Sequence, residues 1–196
     1  LLVTADPVFS LQPEAADQEK IDRLLQDKGL TDKPLIGVAV RKWQALEGYQ
    51  ALLAPLLDDL AGQGYQVLFV PMAYPEDVAE ARRVASLMQT KPIVLDEHLK
   101  SQEHLALIGR LKLMIAMRLH ALIFAANRGV PFAGISYDPK VDAFLTSFGQ
   151  QPLTDEYEAM KAQIYSLLED TSIQYEISRQ AAEMRAKSEQ NARLAL

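Results

Sequence analysis

The sequence has no cysteine, which excludes disulfides and thiolate metal sites and suits a reducing compartment. It also lacks a basic stripe. With 20 Lys and Arg against 26 Asp and Glu the net charge is -6, so a nucleic-acid partner is disfavoured and any anionic ligand has to be met by a local cluster of cations. No run is long and apolar enough for a transmembrane segment, because the most apolar stretch, Leu105 to Ala126, is interrupted by Arg110, Lys112, Arg118 and His120. There is no secretory leader, and the chain opens on Leu1-Leu2-Val3-Thr4, which reads as a cytoplasmic fragment of a longer protein. No glycine-rich fingerprint follows the first apolar run, Val38-Ala39-Val40-Arg41-Lys42-Trp43, and no Walker A sequence occurs, which argues against the familiar NAD and ATP sites.

What is present is the pattern of an α/β domain. In 196 residues, 49% of them hydrophobic, short apolar runs alternate with amphipathic segments. The predicted strands are Leu35-Val40, Gln66-Val70, Pro92-Leu95, Lys112-Met117 and Pro131-Ile135, nearly all apolar, as parallel strands covered on both faces should be. Val78, Ala81, Val84, Ala85 and Met88 recur at helical spacing behind Pro75, and Asp138-Pro139 read as N-cap and first residue of a helix with a Val141, Phe144, Leu145, Phe148 stripe closed by Gly149. Pro55 should kink or restart the helix that begins near Tyr49. From Thr154 the strands stop and two helical stretches follow, the second from Thr171 to Leu196; this tail either packs back across a further domain of a two-domain enzyme or is a solvated terminal helix.

Ligands of doubly wound sheets bind beyond the carboxyl ends of the strands. The residues that follow the predicted strands are Arg41-Lys42-Trp43, Pro71-Met72, Asp96-Glu97-His98, Arg118-Leu119-His120 and Ser136-Tyr137-Asp138. Arg41 and Arg118 put guanidinium forks on one rim, joined by His120 and by helix N-termini, which suits a small ligand bearing carboxylate or phosphate groups. Arg41 and Arg118 are equally readable as rim residues paired with Asp96, Glu97 or Asp138, and His120 as a cap or packing residue. His98 and His104 read as surface residues. Asp96-Glu97-His98 does not make a metal site, since adjacent side chains point in different directions.

The segment Met117 to Leu145, MRLHALIFAANRGVPFAGISYDPKVDAFL, resembles the signature region of the polysaccharide pyruvyl transferase family, most of all its CsaB type. Val3 to Phe9 resembles that family's interdomain passage, and IGVAVRKW and VLFVPM resemble the first two strands of its second domain, so the likeness spans most of residues 1 to 150. The resemblance implies a Rossmann-like doubly wound parallel sheet, the C-terminal half of a GT-B-like fold. Residues 1–34 are then an interdomain linker with a lead-in helix, 35–153 the donor-binding domain and 154–196 a helical extension. It implies phosphoenolpyruvate as donor substrate with no other cofactor, Arg41, Arg118 and Leu119 at the donor site with His120 as acid/base or phosphate ligand, and a missing N-terminal domain on the acceptor side. The implied acceptor is a sugar, N-acetylmannosamine of a lipid-linked cell-wall polymer that anchors S-layer proteins, which would bring the enzyme to the inner membrane face. Ser136, Asp138 and Lys140 are further substrate-binding candidates, though capping explains Asp138 equally well. The competing readings are a nucleotide-sugar-dependent GT-B enzyme and a non-catalytic interaction domain.

Overall fold

A computed structural model of the chain describes residues 6–43 and 48–194, with side chains as far as Ser188. Five parallel strands, β1 (Leu35–Ala39), β2 (Gln66–Phe69), β3 (Ile93–Val94), β4 (Leu111–Ala116) and β5 (Phe132–Gly134), lie in the order β3-β2-β1-β4-β5. The helices are α1 (Ala15–Asp27), α2 (Tyr49–Gly62), α3 (Glu76–Ala85), α4 (Ser101–Ile108), α5 (Leu119–Asn127), α6 (Pro139–Ser147), α7 (Tyr157–Glu169) and α8 (Thr171–Leu194), with a 3-10 turn at Pro7–Ser10. Each predicted strand is found, trimmed or shifted by one or two residues at its ends. The order reverses between β1 and β4, and there the chain leaves a crevice at the carboxyl edge.

The strands are buried because helices cover both faces. Successive side chains alternate: Ile36, Val38, Leu113, Ile115 and Met117 pack with α2, α3 and α7, whereas Ala39, Met114, Ala116 and Phe132 pack with α1, α4, α5, α6 and α8. Leu53, Leu56, Leu57 and Leu60 of α2 are fully buried, each contributing on the order of 1.5–3 kcal/mol of burial free energy. Gly37 stands at the centre of β1, where a Cβ would press on Leu111 and come within 2.9 Å of Met114 Sδ, so any larger residue requires both side chains to shift.

Local signals carry most helix ends. Asp138 caps α6 by accepting the Lys140 N–H at 3.0 Å, and Gly149 (φ 67°) turns the chain out as Gln150 N–H bonds back to Leu145 O at 2.9 Å. Pro75 is the N-cap of α3 rather than its first residue. The restart that was one expected outcome at Pro55 does not occur: α2 is one helix from Tyr49 to Gly62, with Pro55 on the exposed side, where water can satisfy the Ala51 carbonyl that loses its partner.

The C-terminal helices are core elements. Met160, Ile164 and Leu168 of α7 close one face of the sheet, and Ile177 and Ala181 of α8 join the other. Arg185 of α8 donates to Asn127 Oδ1 (2.9 Å) and to Phe9 O (3.3 Å), while Asn127 Nδ2 donates to the carbonyls of Val8, Phe9 and Leu11. One buried amide therefore ties the N-terminal passage, α5 and α8 together. Residues 3–5 of the passage that resembles the family's interdomain segment, and residues 195 and 196, lie outside the described residues.

Candidate active site

At the carboxyl edge lies an open cavity of about 770 Å³. Met72 and Ala73, which follow β2, form one wall; His98 and Lys100, which lead into α4, and Ser101 and Gln102 of its first turn form the second; Arg118 and His120, which follow β4, form the third. Val8 and Phe124 supply an apolar floor. The N-termini of α4 and α5 both open here, each carrying about half a positive charge. No side chain caps α5, which leaves its first-turn N–H groups for water or a ligand.

Arg118 meets none of the carboxylates named as its partners from sequence. Asp96 pairs with Arg82 (2.5 Å), Glu97 with Lys28 (2.7 Å), and Asp138 caps α6 and lies 3.5 Å from Lys140 Nζ. The guanidinium instead grips Asp77, through Nε to Oδ2 at 2.9 Å and Nη2 to Oδ1 at 2.5 Å. Asp77 also accepts the N–H groups of Met72 (3.2 Å) and Ala73 (2.9 Å), so one carboxylate, 1% exposed, orders both the β2–α3 loop and the arginine. Among the described residues no acceptor meets Arg118 Nη1, the nitrogen left for an anion. Asp77 stands eight residues past the end of β2, in the first turn of α3, where local pattern shows only an acid favourable to the helix N-terminus.

Arg41 leaves β1 beside Arg118, since Ala39 and Ala116 are in register, but it does not border the cavity. Its Nη1 donates to Tyr137 Oη at 2.9 Å, and its guanidinium carbon lies 5.0 Å from the Trp43 ring centre and 5.1 Å from that of Tyr137. Leu119 is half-buried and packs into the core. Ser136, Asp138 and Lys140 stand beyond β5, outside the cavity wall. His120 is exposed at the mouth, its ring centre 6.4 Å from that of Phe124. The strand-end residues thus fall into two adjoining groups, Arg118 with His120 and Arg41 with Tyr137.

His98 is exposed as expected, with its ring 5.9 Å from Tyr74. His104 is not a surface residue. It is 7% exposed, with Nδ1 3.2 Å from Lys100 O and Nε2 3.1 Å from Pro71 O. It sits on the inward side of α4, and burial pushes its pKa below the ordinary histidine value although both carbonyls and Glu103 favour the charged ring. Its neighbour Glu103 is also buried: burial raises its pKa, but the Lys20 ammonium at 2.7 Å and the Lys100 N–H at 2.9 Å outweigh this and hold it below the usual range. Among the described residues no cluster of three or more His, Asp or Glu side chains is arranged to hold a metal ion, and no helix is long and apolar enough to cross a membrane.

A family model for polysaccharide pyruvyl transferase matches residues 1–139. The chain belongs to that family. Among curated proteins none matches it by sequence. Solved structures that share its fold include the glycosyl transferase family 9 from Veillonella parvula DSM 2008, with TM-score 0.59 and 17% identity over 85% of this chain and 53% of that one. The S. aureus MnaA-UDP co-structure has TM-score 0.68 and 11% identity over 97% of this chain and 52% of that one. The C-terminal domain of a glycosyl transferase group 1 family protein (LpcC) from Francisella tularensis has TM-score 0.57 and 15% identity over 91% of this chain and 95% of that one. The chain thus spans about half the length of the first two and nearly all of the third. At these identities the likeness shows the fold, that of one half of a GT-B glycosyltransferase, for this polysaccharide pyruvyl transferase family member.

Proposed function

We propose that the chain binds phosphoenolpyruvate in the cavity beside Arg118 and His120, as the donor half of an enzyme that transfers pyruvate to a sugar as a cyclic ketal. The observation that carries this reading is a cavity at the strand-order reversal with Arg118, Lys100, His120 and two helix N-termini on its walls. Phosphoenolpyruvate bears a carboxylate and a phosphate on three carbons, and such a ligand needs separated cationic groups on a small scale. Because Asp77 offsets part of the Arg118 charge, the helix N-termini and Lys100 supply the remaining attraction.

In the reaction, the methylene carbon of the donor takes a proton, oxocarbenium character develops at the adjacent carbon, and a sugar hydroxyl adds there. Phosphate then leaves with its bridging oxygen, and a second hydroxyl of the same sugar closes the ketal, each hydroxyl giving up its proton. His120, exposed at the mouth beside the uncapped first turn of α5, is the group to move protons, and Arg118 Nη1 and the α5 N–H groups meet the departing phosphate. Arg41, Ser136, Asp138 and Lys140 face the acceptor side of the rim. The acceptor we favour is N-acetylmannosamine of a lipid-linked cell-wall polymer. The greater length of the Veillonella parvula and S. aureus proteins supports a second domain facing this rim.

Calorimetric titration at low salt tests the reading, with phosphoenolpyruvate and UDP-N-acetylglucosamine as ligands. Phosphoenolpyruvate should bind, more weakly as salt rises. Arg118→Lys should weaken it although the charge is kept, and His120→Gln should slow transfer by the complete enzyme about 10²-fold or more while changing donor affinity little. Saturable binding of the nucleotide sugar with none of phosphoenolpyruvate would refute it.

A further inference from the structure

Beside the cavity, the strand ends hold an aromatic cluster that donor binding does not use. The Trp43 and Tyr137 rings lie 4.8 Å apart at 53°, and the Arg41 guanidinium lies about equally far from both, at 5.0 and 5.1 Å. Arg41 donates to the Tyr137 oxygen, so the hydroxyl hydrogen of Tyr137 is free to donate outward. Tyr137 packs against the core from the β5–α6 connection, whereas Trp43 stands 37% exposed on the ligand edge. An indole so placed exposes apolar surface where folding alone would bury it, and its guanidinium and phenol neighbours hold it in one orientation.

We infer that this cluster is the platform for the acceptor sugar, an inference that rests on the transferase reading above. A pyranose has one face of C–H groups and a rim of hydroxyls. The first matches the open surface of Trp43, and the second matches the Tyr137 hydroxyl and the Arg41 guanidinium. Position agrees with the chemistry. Ala39 and Ala116 are paired in register at the ends of neighbouring strands, and Arg41 and Arg118 each follow two residues later. A sugar on Trp43 therefore lies on the strand end next to the one that supplies Arg118 to the donor cavity.

Trp43 is the chain's single tryptophan, so its fluorescence reports on this platform without any turnover. Titration with the methyl glycoside of N-acetylmannosamine should give a saturable blue shift as the sugar excludes water from the indole, with or without phosphoenolpyruvate present. By calorimetry, Trp43→Ala should weaken sugar binding about tenfold and leave phosphoenolpyruvate affinity unchanged. Tyr137→Phe, which keeps the stack and removes only the hydroxyl, should weaken sugar binding about fivefold and guards against misfolding of the first variant. Unchanged emission up to the solubility limit of the sugar would overturn the proposal. So would a shift with UMP and none with sugar, which would make the cluster a nucleobase platform. A sugar response without phosphoenolpyruvate binding would keep the platform and discard the donor assignment, whereas donor binding without a sugar response would do the reverse.

Discussion

Replacing Asp77 by Asn tests whether one buried carboxylate holds the Arg118 wall of the cavity. The substitution keeps the shape and leaves one carbonyl oxygen, which can keep both loop N–H groups that now share Oδ2, but it turns an amide N–H toward a guanidinium that has lost its counter-charge. Breaking a buried ion pair by removing one partner costs about 3–5 kcal/mol. Here the Asp77 side chain is 2% exposed and that of Arg118 22% exposed, so water relieves part of the orphaned cation. We therefore expect a loss of about 2–3 kcal/mol. For a chain of this size that corresponds to a fall in Tm of roughly 5–10 °C. Urea denaturation should show a lower midpoint at unchanged slope. A double-mutant cycle with Arg118→Met isolates the pair and should return a coupling of about 2 kcal/mol. A loss below about 0.5 kcal/mol for Asp77→Asn, or a coupling near zero, would show that the carboxylate does not anchor the arginine and that Arg118 orientation is set elsewhere.

Burial holds the folded-state pKa of His104 below its ordinary value, so the folded chain binds fewer protons than the unfolded one between those two values. Stability should accordingly be fully present above the ordinary histidine pKa and decline as pH falls through it toward the folded value; urea midpoints across about pH 5 to 8 should show that slope, and His104→Gln should flatten it. In Gly37→Ala the added methyl has to displace Leu111 and the Met114 sulfur, at a cost of about 1–3 kcal/mol read as a lower urea midpoint; an unchanged midpoint would mean that β1 and β4 are not packed as tightly as described.

Much of this fold is written locally. Apolar runs of strand length, the Asp138-Pro139 start and the Gly149 stop each depend on a few neighbouring residues, and the structure has these elements where the local rules put them. The strand-end rule likewise located the rim, because in alternating strands and helices the carboxyl ends all face one way. What local pattern does not contain is which side chains meet there. Arg118 finds Asp77 across 41 positions and Arg41 finds Tyr137 across 96, and both encounters exist only because the order β3-β2-β1-β4-β5 brings those strand ends together. His104 read as exposed from its polar neighbours, yet a helix buries by face, and the side of α4 that turns inward is set by the sheet beneath it. Pro55 read as a kink or restart, yet its outward position on α2 lets water replace the missing bond. The sequence by itself therefore determined the family, the elements and the edge that carries the cavity; the tertiary structure decided which charges are paired, which are left without a partner, and which aromatic faces stay open, since those depend on contacts between residues far apart in the chain.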